Sequence, residues 1–213
     1  IRKAAVDIVN GCTFDNNLPC IAEKEIVAVD SIADELLHYM VSEQGCYMIS
    51  KEEQDALTEV VLKGGRLNRK CVGRDAKTLL GMIGITVPDN IRCITFEGPK
   101  EHPLIAEELM MPILGVVRAK DFDDAVEQAV WLEHGNRHSA HIHSKNVDNI
   151  TKYAKAIDTA ILVKNGPSYA ALGFGGEGYC TFTIASRTGE GLTSASTFTK
   201  RRRCVMTDSL CIR

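Results

Sequence analysis

Apolar residues recur at helical spacing through 31–44, where Ile32, Leu36 and Met40 share a face with Ala33 and Leu37. Ser31 opens that segment and Gly45 stops it, so an amphipathic helix is predicted there. Residues 51–63 repeat the period on Leu57, Val60 and Val61, behind a capping box of Ser50 and Glu53 and ahead of Gly64-Gly65. Asp75 can cap a shorter helix through Ile83, and residues 1–10 form another helix. Two short apolar runs, 25–30 and 93–98, have the length of strands. From 115 onwards the pattern alternates: strand 115–120, helix 121–134, strand 139–144, helix 146–157, strand 160–165. Two consecutive strand–helix–strand units imply parallel strands with right-handed crossovers. The strands at 25–30 and 93–98 are expected in the same sheet. From Gly166 to Thr199, Gly, Ser, Thr and aromatic residues dominate and the apolar period fades, as in loops that border a site. Residues 197–206 read as an isolated extended strand. The fold class is α/β: a mostly parallel sheet flanked by helices, with a C-terminal extended strand.

Composition narrows the class. A chain of 213 residues holds one sizeable domain or two small ones. Hydrophobic content of 45% and charged content of 25% suit a globular protein. No apolar run approaches the ~20 residues that span a membrane, and no secretory signal is visible. A net charge of −3 gives no pull towards nucleic acid, and the basic run Lys200 to Arg203 reads as a solvated strand face. The eight cysteines form no CxxC pair, so they read as reduced thiols of a cytoplasmic protein, most of them core fillers.

One cysteine stands apart. Cys20 follows an Asn-Asn-Leu-Pro turn and precedes the strand at 25–30. Turn residues fix the backbone there, and nearby N–H groups can favour a thiolate and an oxyanion on a bound carbonyl. That arrangement suits covalent catalysis on a carbonyl. The segment NNLPCIAEKEIVAVD resembles the catalytic-cysteine segment of the CoA-acylating aldehyde dehydrogenases of propanediol and ethanolamine breakdown. Residues 102–129, 134–144 and GFGGEG at 173–178 resemble further segments of the aldehyde dehydrogenase superfamily, in the same order. This chain has Met110-Met111-Pro112 where many relatives have Phe-Gly-Pro.

The resemblance implies roles by position. Cys20 is the nucleophile, Glu108 holds the nicotinamide ribose of NAD, and Asn17 and Phe174 meet the substrate. Met110 takes the place of an aromatic residue near the cofactor. Asn16 and Asn17 can also fix the turn through side-chain hydrogen bonds. The reaction implied is oxidation of a short-chain aldehyde to acyl-CoA, with NAD and coenzyme A, through a thiohemiacetal and a thioester. The nicotinamide-binding domain of such enzymes lies upstream of the cysteine and is not in this chain. Residues 1–196 therefore read as the catalytic domain and 197–213 as an oligomerisation strand. The isolated domain is expected to be inactive, and the full-length enzyme to be a homo-oligomer, in the cytoplasm or a bacterial microcompartment.

Other motifs count against alternatives. Gly173, Gly175 and Gly178 satisfy G-x-G-x-x-G, but no strand leads directly into them and no helix follows, as a dinucleotide fingerprint requires. His134, His138, His141 and His143 fall close together, with the last two on one strand face. No cysteine or carboxylate lies at zinc-ligand spacing, so no metal is assigned. His134 or His138 can act as a proton shuttle. Two readings stay open: a non-acylating NAD(P)-dependent aldehyde dehydrogenase, and a non-catalytic metal- or partner-binding module.

Overall fold

The computed structural model describes residues 1–178, 180–184 and 191–208. Helix α1 (Arg2–Thr13) leads through a 3-10 turn (Phe14–Asn17) to strand β1 (Glu25–Val29) and helix α2 (Asp30–Glu43). Strand β2 (Cys46–Met48), helices α3 (Lys51–Val61) and α4 (Ala76–Met82), strand β3 (Cys93–Glu97), the short α5 (Pro103–Ala106) and strand β4 (Ile113–Ala119) follow. Helix α6 (Phe122–Leu132), β5 (Ser139–Ile142), α7 (Val147–Ile157) and β6 (Ile161–Lys164) complete the alternating half. A 3-10 turn (Ser168–Leu172), strands β7 (Thr183–Ile184) and β8 (Leu192–Thr193) and a last 3-10 turn (Ala195–Phe198) end it.

Helix α2 starts at Asp30, with Val29 at its N-cap and no side-chain cap bond, so Ser31 does not open it; the other expected caps act where the sequence places them. Ser50 and Glu53 make both bonds of the capping box, Asp75 accepts from the Thr78 N–H, and Asp121 and Asn146 cap α6 and α7. Each satisfies N–H groups that a helix start leaves without an internal partner.

The main sheet runs β1-β4-β3-β2, all parallel. Strand alternation splits its apolar side chains between two cores. Ile94, Phe96, Ile113 and Val117 meet α3 and α4 on one face, and Cys93, Leu114 and Val116 meet α1 and α2 on the other. Gly115 lets α5 approach β4, because a Cβ there would run into Ile105.

The strand–helix–strand unit at 139–164 is parallel as expected. The preceding unit differs: α6 carries the chain from β4 to a separate two-stranded sheet, β5-β6. Strand β4 already bonds β1 and β3, so β5 has no edge of it to join. Residues 197–206 begin inside the last 3-10 turn and pair with no strand among the described residues. Phe198, Val205 and Met206 are exposed there.

Candidate active site

Helix α1 gives way to a backbone of unusual curvature. Asp15, Asn16 and Asn17 all have positive φ, at 47°, 51° and 64°. Asn and Asp tolerate that region because their short polar side chains bond locally. Asn16 Nδ2 donates to the Gly73 carbonyl at 3.1 Å. Asn17 is buried, and its Nδ2 donates to the carbonyls of Cys12 at 3.0 Å and Glu23 at 2.8 Å. The amide thus bridges the end of α1 and the start of β1. Its Oδ1 takes part in neither bond.

Between those anchors the chain makes a turn closed by the Ala22 N–H donating to the Pro19 carbonyl at 2.9 Å. Ile21 is buried against Ile161, Val163 and Leu172, and Glu23 is buried too. Cys20 lies between them and is exposed. Its Sγ lies 3.2 Å from Nε2 of His138. His138 ends a loop in which His134, Gly135 and Arg137 all have positive φ, and its own N–H donates to Glu133 Oε1 at 3.1 Å. His134 turns elsewhere, with Nε2 3.2 Å from the Ala106 carbonyl.

Cys20, Asn17, Glu23, Glu108 and His138 line one cavity of about 1730 Å³. Glu108 is exposed, beyond the end of α5. The Cys20 thiol is raised above its ordinary value, first by partial burial of the sulfur and further by the charge of Glu108. An imidazole at hydrogen-bond distance can take the thiol proton, which offsets that resistance to ionisation. Once the imidazole has taken its proton, the exposed Cys20 sulfur, in a large cleft beside an exposed carboxylate, can attack a carbonyl carbon.

Phe174 takes a different place. It is exposed and does not line this cavity. It meets Tyr169 edge-on at 5.8 Å, and Tyr169 meets Phe14 at 5.3 Å, so an aromatic chain links the glycine-rich segment to the end of α1. The sequence expected a strand through residue 144, but β5 ends at Ile142; His141 on it and His143 just past its end both line the cavity. Burial pushes His141 down to about 4 and also lowers His143, so both are neutral near pH 7. Met110 is half-buried with φ 54°, and its carbonyl accepts the Gly73 N–H at 2.9 Å.

The sequence left one site residue as one of two candidates and missed another. The His138–Cys20 contact joins positions 118 residues apart, and only three-dimensional structure selects His138 over its neighbour His134. Glu23 lies inside the segment that carries the resemblance, but no role attaches to it there. Its only sequence signal is a carboxylate three residues beyond the cysteine, in a stretch about to enter a strand.

The model of the aldehyde dehydrogenase family matches residues 90–199. The acetylating acetaldehyde dehydrogenase EutE of Salmonella typhimurium is 46% identical over 98% of this chain and 46% of its own length. A solved propionaldehyde dehydrogenase from the Clostridium phytofermentans fucose utilisation microcompartment is 82% identical, with TM-score 0.94, over 100% of this chain and 49% of that one. Variants of that enzyme replace one histidine and one cysteine by alanine, at positions also 118 apart. The Rhodopseudomonas palustris propionaldehyde dehydrogenase, solved with bound CoA and an acylated cysteine, is 56% identical, with TM-score 0.92, over 96% of this chain and 47% of that one. The chain thus spans about half the length of the relatives it matches. It belongs to the aldehyde dehydrogenase family.

Proposed function

We propose that this chain is the cysteine-bearing half of a CoA-acylating aldehyde dehydrogenase, acting on a short-chain aldehyde. The observation that carries the reading is the 3.2 Å contact between Cys20 Sγ and His138 Nε2 in the cavity that Glu108 also lines. The acylated cysteine of the Rhodopseudomonas palustris relative supports it.

His138 takes the thiol proton, and the Cys20 thiolate attacks the aldehyde carbon. The carbonyl π electrons move onto oxygen, and the Cys20 backbone N–H can donate to the oxyanion. The product is a thiohemiacetal on Cys20. The exposed Glu108 carboxylate suits a ribose diol, since it can accept two hydrogen bonds from adjacent hydroxyls. NAD+, where Glu108 held its ribose, would supply the acceptor for a hydride; with that hydride gone, the oxyanion's electron pair re-forms C=O and leaves a thioester on Cys20. The CoA thiolate then attacks the acyl carbon and displaces Cys20 as thiolate, which His138 can reprotonate. Sulfur suits both halves, because a thiolate attacks readily and a thioester stays reactive to another thiol.

Asn17 holds the turn through its amide and offers Oδ1 towards substrate. Phe174 serves as an aromatic wall of the glycine-rich segment. Exposed Phe198, Val205 and Met206 support residues 197–206 as a strand that pairs with a second subunit. The relative from a fucose utilisation microcompartment supports a place inside such a compartment. No helix among the described residues is long and apolar enough to cross a membrane.

The test is a product assay on the whole protein with propionaldehyde and NAD+, with and without CoA. Acyl-CoA formation that disappears in Cys20→Ala is expected. Free acid formed at the same rate without CoA would assign the protein to the non-acylating branch.

A further inference from the structure

We infer that Glu23 is a positioning residue for Cys20: its buried carboxyl ties the turn that presents the thiol to the main chain at Ser168, where the glycine-rich segment begins. The inference rests on the proposed nucleophilic role of Cys20 and adds a residue to it.

Three contacts converge on Glu23. Its Oε1 accepts the Ser168 N–H at 2.8 Å. Its carbonyl accepts Asn17 Nδ2 at 2.8 Å. Helix α1 passes its carboxyl at Gly11, where any Cβ would overlap Oε1 and Oε2. Cys20 is exposed and has no core packing of its own. Its position is inherited from what holds the turn, namely Ile21 in the core and Glu23 three residues along.

The carboxyl is a costly way to fill that space. Glutamate is rarely buried unless paired. Here Glu23 is 5% exposed, and Oε2 is buried with no hydrogen-bond partner among the described residues. An aliphatic side chain would pack there without that penalty, but it could not accept the Ser168 N–H. An unsatisfied buried polar group calls for an explanation of this kind.

Protonation state follows from the surroundings. Burial, partly offset by the bonds from Ser168 and reinforced by the charge of Asp7, pushes Glu23 up to about 7. Asp7 on α1 is paired with Lys3 and lies 3.8 Å from His143 Nδ1. The remaining neighbours, Gly11 on α1 and Ser168 on the 3-10 turn, carry no charge. Below about pH 7 the carboxyl is neutral and the clamp is intact. Above it, the carboxylate is a buried charge that the bonds from Ser168 offset only in part, and the same clamp is held at a higher cost in free energy.

The experiment uses the whole protein and its Glu23→Ala and Glu23→Gln variants. It reads two quantities: the rate at which iodoacetamide labels Cys20, located by peptide mapping from about pH 6 to about pH 9, and kcat against KM for aldehyde oxidation. Glu23→Ala is expected to lower kcat about tenfold or more, as loss of a near-attack geometry does, with KM for NAD+ changed less than about twofold. Glu23→Gln keeps the acceptor and the shape but cannot ionise. It should restore kcat to within about threefold of the parent at pH 7 and give a labelling profile that departs from the parent's above about pH 7, where only the parent ionises residue 23. If Glu23→Ala does not fold, the Glu23→Gln profile decides alone. A Glu23→Gln profile that coincides with the parent's across the whole range overturns the inference, as does a folded Glu23→Ala with parental kcat and labelling. If the parent makes no acyl-CoA, the proposed function fails, and the labelling profiles still decide the role of Glu23.

Discussion

Two sulfur environments in this molecule share a raised thiol and differ in access and in partner. Cys46 and Cys93 face each other in register on β2 and β3, both buried. The Cys46 thiol is raised well above its ordinary value by its hydrogen bond with Cys93 and by burial. Burial does the same to Cys93, with a further contribution from Cys12. These thiols behave as small apolar side chains. Cys20 is also raised by burial, but it is exposed, it sits on a turn, and it has an imidazole at 3.2 Å. The comparison teaches that a raised thiol is not by itself an inert one. Access and a proton acceptor separate the nucleophile from the filler.

The largest effect expected from this difference is in labelling. In the native protein iodoacetamide should modify Cys20 on the order of 10³-fold faster than Cys93, since a core thiol reacts only after the structure opens. Equal rates would remove the distinction. Next, His138→Ala should slow Cys20 labelling and turnover by about 10²-fold at neutral pH, the usual scale for loss of a positioned base. The rate at Cys93 should not change. Stopped-flow labelling with peptide mapping checks both. The smallest effect concerns Glu108. Its charge raises the Cys20 thiol, so Glu108→Gln should lower the thiol's midpoint and speed labelling at neutral pH by about two- to threefold, as befits an exposed charge. The same variant should weaken NAD+ binding, measured by titration calorimetry.

Glu23 adds a stability signature to the same region. Its folded value, about 7, lies above the ordinary 4.5. The folded state therefore holds a proton that the unfolded chain gives up, and its contribution to stability is fully present below about pH 4.5 and declines as pH rises through about 7. Denaturant melts of Glu23→Gln should show a flatter stability profile across that window than the parent.

Local chemistry was legible in the sequence. Ser50, Asp75, Asp121 and Asn146 cap their helices because capping depends only on neighbours in the chain. The parallel pair β5-β6 follows from the apolar alternation of 139–164. The exposed turn at Cys20 follows from Asn-Asn-Leu-Pro, and Glu108 does reach the Cys20 cavity. What stayed hidden depends on distant pairing. No periodicity links His138 to Cys20. The separation of β5 from the main sheet depends on which edges β4 has already given to β1 and β3. The burial of Glu23 depends on Gly11 and Ser168, from two other elements. Strand β2 is three residues long, too short for alternation to announce it.

The central claim is that Cys20 forms the acyl bond, and mass spectrometry of the whole protein tests it most directly. Incubation with propionaldehyde and NAD+ in the absence of CoA should leave a propionyl group on the peptide that contains Cys20, and added CoA should remove it. Sustained turnover with that peptide unmodified, or with the acyl group on another residue, would contradict the account.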